Sequence, residues 1–213
     1  MALHGRVGDE FDAGACIVAS RRQNSVMALP SPDSAALEAT LMTERLLIEP
    51  VDARHAPLMF DGMCEPAVYA WISLEPPASV EALARRWGAN LPRLRAATDC
   101  WWPAWAVQRR ADGAWIGSLD AELLPGGVAS NVGYVFFPAF WGCGLAGEAV
   151  RALCDHLARH GVVEQRATVT HGNVASARVL QRAGFERTRV LPGNDVLRGV
   201  PVDDVEYVRR DAR

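Results

Sequence analysis

Hydrophobic positions along this chain change period several times, and each change marks an element. Leu46 to Glu49 reads as a first strand, and Asp52 to Ala70 has helical spacing with a break near Gly62 or Pro66. Ser79 followed by apolar residues at helical intervals predicts a capped helix to Gly88, which Leu91 to Ala97 would continue. Trp101 to Arg109 alternates as a strand, turns at Ala111-Asp112-Gly113 and returns through Trp115 to Leu123 as a hairpin. Pro125-Gly126-Gly127 turns again into a strand over Val132 to Phe137. A glycine-rich turn then opens an amphipathic helix reaching His160, with a strand at Gln165 to Thr170, a helix from Asn173 and a late strand over Val200 to Arg209. Antiparallel strands followed by strand–helix–strand alternation predict one mixed α/β sheet.

Residues 1–41 follow another pattern. Pro30-Ser31-Pro32-Asp33-Ser34 is linker-like, and nothing before it sustains a helical or strand period. The expectation is a disordered extension over 1–41 and a folded domain over 42–213, with Met27 and Met42 as alternative starts.

Composition narrows the function classes. The net charge of −3 gives no electrostatic case for nucleic acid or an anionic membrane. All 22 basic residues are arginine, a bias of genomic base composition that also suits phosphate contacts. No apolar run has the length of a membrane span and no signal-peptide pattern opens the chain. The five cysteines are odd in number, widely spaced and without a CxxC pair, which points to reduced thiols and a cytoplasmic protein. His156 and His160 lie one helical turn apart, but no third ligand is evident, so no metal is expected and a solvated helix face is the default.

The chemistry concentrates at Gly142-Cys143-Gly144-Leu145-Ala146-Gly147. A strand entering a glycine turn that opens a helix aims several backbone N–H groups and the positive helix end at one point, which suits a phosphate. The same glycines spell GxGxxG, but a dinucleotide fingerprint starts directly off its strand and has an acidic residue about 20 positions later. Here Pro138 to Trp141 intervene, and the next strand ends in His171-Gly172-Asn173 without a carboxylate.

Four segments in order instead resemble the GNAT superfamily of acyl-CoA N-acyltransferases, in its RimJ/RimL-type branch. These are Thr43-Glu-Arg-Leu-Leu-Ile-Glu-Pro50, the hairpin around Trp105 and Gly113-Ala-Trp-Ile-Gly117, the turn with Trp141 and Glu148, and Asn173 through Gly184-Phe185. The resemblance implies a mixed, mostly antiparallel sheet flanked by helices and splayed at the acyl-CoA site. It implies acetyl-CoA as co-substrate and direct transfer to a primary amine, a protein N-terminus or a small molecule, in a monomer or homodimer. Residues 142–147 would then hold the pyrophosphate, Val135, Phe136 and Phe137 would offer strand N–H groups, and Asn173 would cap its helix and touch the pantetheine arm.

The chain departs from that pattern at three places. Ala139 stands where the family commonly has Gln or Arg before the loop. Asn131 stands where a Glu could deprotonate the amine, so Asp120 and Glu122 on the preceding strand, and Asp203 on a closing strand, become candidate bases, although exposed strand carboxylates usually serve solubility. Leu180 replaces a tyrosine acid, leaving Ser176 either as proton donor or as a first-turn helix residue. Cys143 reads as a small spacer in the turn. A non-catalytic acyl-CoA-binding module on the same fold is the alternative reading.

Overall fold

The computed structural model describes residues 34–88 and 101–210. A short helix α1 (Ser34–Leu37) leads into β1 (Leu41–Met42) and β2 (Leu46–Pro50). After a 3-10 turn at Ala53–His55 come α2 (Ala56–Met63), a second 3-10 turn at Pro66–Ala70, and α3 (Val80–Gly88). Strands β3 (Ala104–Arg109), β4 (Trp115–Leu124) and β5 (Val128–Phe136) precede α4 (Leu145–Arg159), β6 (Glu164–Thr170), α5 (Val174–Arg182), β7 (Glu186–Leu197) and β8 (Val200–Arg210). The expected helical break falls at Cys64–Glu65, and the Ser79 hydroxyl caps α3 by accepting from Ala82 N–H at 3.2 Å. The expected continuation over Leu91 to Ala97 lies outside the described residues.

Among the described residues eight strands form one sheet, in the order β1-β2-β3-β4-β5-β6-β8-β7. Neighbours are antiparallel except β5 and β6, which run parallel and pair only at Val128↔Glu164 and Ala129↔Gln165. Beyond Ala129 the two strands part, which is the predicted splay.

Alternation divides the side chains between two cores. Trp105, Val107, Leu119, Ala121, Val132 and Phe136 pack with α4 and α5 residues such as Leu153, Leu157 and Leu180. Ala106, Phe137 and the partly buried Val135 face α2 and α3 through Met59, Met63, Leu83 and Trp87. Gly62 is small because a Cβ there would lie 2.4 Å from the Phe137 ring.

β7 was absent from the hydrophobic pattern. It is an edge strand, largely exposed, and Pro192-Gly193-Asn194 reads as a turn in sequence. The strand absorbs these residues as an irregularity between Leu191 and Asp195, where an edge tolerates proline. Asp203 is occupied there, accepting from Gly193 N–H at 2.8 Å, so its side chain serves the hairpin.

Most of the extension expected before residue 42 lies outside the described residues, but its last part packs on the domain. Leu37 is fully buried, and its carbonyl lies 3.0 Å from His156 Nε2. His156 is therefore a buried residue of α4 and not part of a solvated face. Burial, with His160 and Arg159 adding to it, outweighs the Leu37 carbonyl and holds the His156 ring below the usual histidine pKa. A chain beginning at Met42 is expected to lose about 2 kcal/mol or more of stability with the Leu37 side chain. Thermal unfolding of the two lengths checks this, and equal midpoints would show that α1 contributes nothing.

Candidate active site

Helix α4 begins at an unusual terminus. Its N-cap is Gly144, at φ +76°, with no side chain to cap the first amides. Glu148 N–H donates to the Gly144 carbonyl, so the N–H groups of Leu145, Ala146 and Gly147 have no partner within the helix. α5 shows the contrast, since Asn173 Oδ1 accepts from Ser176 N–H at 3.1 Å. Gly142 is also left-handed at φ +76°, and a Cβ on Gly142 or Gly147 would meet nothing within 4 Å. No protein packing therefore demands the small residues at 142 and 147, and the turn leaves room in front of uncapped donors. An anionic pyrophosphate fits that cradle. Cys143 is an exposed free thiol in the turn, 3.5 Å from the Trp141 carbonyl.

The turn is tied down from across the sheet. Arg45 Nη1 donates to the Cys143 carbonyl at 3.0 Å and its Nε donates to Glu148 at 2.6 Å, while the Thr43 hydroxyl also donates to Glu148. Burial alone would raise the Glu148 carboxyl, and these donors together bring it below the usual glutamate range. An open groove of about 430 Å³ continues down the outer face of α4, lined by Gly144, Gly147, Glu148, Arg151 and Asp155 with Arg182 of α5 beside them.

Next to the turn stands the opened edge of β5. Phe137 N–H is already bonded to the Ile116 carbonyl of β4 at 2.9 Å. By strand alternation Val135 also faces β4, and Phe136 faces the gap toward β6. Of the three residues expected to offer N–H groups, only Phe136 points the right way. The Phe136 carbonyl is taken by Trp141 Nε1 at 2.6 Å.

The candidate bases lie on the α2 and α3 side of the sheet. Asp120 pairs with Gly133, and Glu122 pairs with Asn131. A carboxylate thus stands on the neighbouring strand opposite Asn131, on the same face. Trp102 Nε1 holds Asp120 Oδ1 at 2.9 Å, and a Cβ on Gly133 would come within 2.6 Å of both Asp120 oxygens. Gly133 is the space in which that carboxyl lies. Burial pushes the Asp120 carboxyl above the ordinary aspartate pKa, against the Trp102 N–H and Arg86, with Glu122 adding to the rise. Glu122 is held differently. A bulge turns Ser130 out of register, and its hydroxyl donates to Glu122 Oε2 at 2.8 Å.

On the other face, Ser176 Oγ lies 2.6 Å from Tyr134 OH, with either hydroxyl able to donate, and the Tyr134 hydroxyl can instead donate to the Ser176 carbonyl at 3.0 Å. Burial pushes the Tyr134 phenol up to about 12, so it stays protonated. Sequence reasoning passed over Tyr134; the signal available was a tyrosine in a buried strand, whose hydroxyl must find a partner. Leu180 is buried in the core.

The connection between α2 and α3 borders this region. Thr170 Oγ1 donates to the Trp71 carbonyl, Ser73 Oγ to Asp195, and Arg198 to the Tyr69 carbonyl, so it is stitched to the β6–α5 turn and the β7–β8 hairpin. Among the described residues no group of three or more His, Cys, Asp or Glu side chains could hold a metal, and no helix is long and apolar enough to cross a membrane.

The model of the acetyltransferase (GNAT) domain matches residues 45–186. The chain belongs to the GNAT acetyltransferases. Among solved structures it is similar to RimL, a ribosomal L7/L12 alpha-N-protein acetyltransferase in complex with coenzyme A. The TM-score is 0.71 at 18% identity, covering 81% of this chain and 98% of that one. A probable GNAT acetyltransferase from Chromobacterium violaceum gives 0.68 at 23% identity over 91% and 96%. The microcin C7 self-immunity acetyltransferase, solved with acetyl-CoA and AMP, gives 0.70 at 13% over 79% and 94%. No curated protein sequence matches the chain at a significant level. These neighbours share the fold.

Proposed function

We propose that this GNAT domain acetylates a primary amine, of a protein N-terminus or a small molecule, by direct attack within a ternary complex in the cytoplasm. The observation that carries the reading is the carboxyl pair of Asp120 and Glu122 across the strand from Asn131 and Gly133, beside the parted strands β5 and β6. Acetyl-CoA supplies an activated thioester. The amides of residues 144–147 hold its pyrophosphate, and Phe136 N–H orients the arm in the gap.

A primary amine is an ammonium at neutral pH and must lose a proton before it can attack. Asp120 accepts it, since burial has raised its basicity and Trp102 fixes its orientation. Glu122 adds negative charge that draws the ammonium in. Ser176, hydrogen-bonded to the Tyr134 hydroxyl, passes a proton to the departing sulfur and takes in its place the second proton that the attacking nitrogen sheds as the amide forms. Asn173 holds the first turn on which Ser176 sits.

A panel of amines tests the reading: N-terminal peptides, polyamines, aminoglycosides and amino-acid derivatives, each mixed with acetyl-CoA and the purified protein. Free thiol is expected only with amines that accept the acetyl group. Coenzyme binding without thiol release from any amine would favour the non-catalytic acyl-CoA-binding module instead.

A further inference from the structure

The glycine turn is poor in charge for a site that must hold a pyrophosphate. From Pro138 to Gly147 there is no cationic side chain, and Ala139 is exposed and apolar. The nearby arginines are mostly committed elsewhere. Arg109 is paired with Asp112 and lies over the Phe140 ring, 4.7 Å from its centroid. Arg151 donates to the Arg182 carbonyl at the end of α5.

Arg45 differs. It arrives from the residue just before β2, almost a hundred residues away in sequence. Two of its three guanidinium nitrogens are used, Nε on Glu148 and Nη1 on the Cys143 carbonyl. The third, Nη2, lies 3.7 Å from where a Gly144 Cβ would be, against the helix cap, and the side chain is 46% exposed. Its Glu148 and Cys143 contacts orient the planar group and reduce the side-chain entropy lost on binding.

We infer that Arg45 is the cationic pyrophosphate ligand of this site, donating through Nη2 to the anion that the amides of residues 144–147 cradle. It thereby supplies from just before β2 the contact that Ala139 cannot make. This rests on the coenzyme reading of the turn. The same residue clamps the turn through Cys143, so two roles must be separated: a clamp fixes backbone shape, and a ligand contributes charge.

Calorimetric titration of CoA into the full chain at low and high ionic strength separates them. Arg45→Ala should weaken CoA binding roughly tenfold or more at low salt, as expected for a charge-assisted hydrogen bond. The deficit should shrink as salt screens the parent's contact. Arg45→Lys should recover part of the affinity as a point charge without the fork. Arg189→Ala removes an equal charge on the β7 edge and should bind as the parent does. Thermal midpoints confirm that each variant is folded. If Arg45→Ala binds within roughly twofold of the parent, or if Ala and Lys lose affinity equally at every ionic strength, Arg45 is no ligand. A parent that fails to bind CoA overturns the coenzyme reading itself, which is a distinguishable result.

Discussion

Asp120→Asn should lower kcat by about 10²–10⁴-fold, the usual contribution of a positioned proton acceptor, with CoA affinity unchanged. The substitution keeps the volume beside Gly133 and still accepts from Trp102 Nε1, so it isolates the loss of basicity. The pH dependence follows from the sign of the shift. Burial raises the Asp120 pKa above the usual aspartate range, so the basic form is lost as pH falls through that raised value. The parent's kcat/KM should therefore carry an acidic limb above the ordinary aspartate range, and Asp120→Asn should lack it. Glu122→Gln, whose carboxyl is bonded to Ser130, should cost much less. An Asp120→Asn enzyme with parental kcat would remove Asp120 from the mechanism.

Gly144→Val should weaken CoA binding by roughly tenfold or more while the fold persists. At φ +76° a β-branched residue is strained, and relief would rotate the cap that aims the amides of Leu145 to Gly147. Its side chain would also point at Arg45 Nη2. Calorimetry with CoA, alongside circular dichroism for the α4 helix, reads both effects. Parental affinity in a folded Gly144→Val variant would place the pyrophosphate elsewhere.

Much of this arrangement was legible in the chain because it is local. The turn, its helix and the Asn173 cap are short-range patterns of glycine, apolar spacing and side-chain oxygen, and all three occur as expected. What escaped depended on partners distant in sequence. β7 had no reading because Pro192-Gly193-Asn194 interrupts any strand period, and only an edge position lets a strand carry it. His156 looked like a surface residue of an amphipathic helix until α1 covered it. Phe137 carries the same apolar signal as Phe136, and only the register with β4 shows that its N–H is spent on Ile116. The relation of Asp120 to Gly133 and of Glu122 to Asn131 is likewise a matter of strand register, which alternation suggests but cannot fix across a bulge.

The central claim is that acetyl passes straight from the coenzyme to an amine, with no stop on the protein. Mass spectrometry after a single turnover, with enzyme in excess over acetyl-CoA and an amine found by the panel, tests it most directly. The account predicts acetylated amine and unmodified protein at every time point, Cys143 included. Acetyl appearing first on the protein and then on the amine, or a consumed thioester with no acetylated amine, would contradict it.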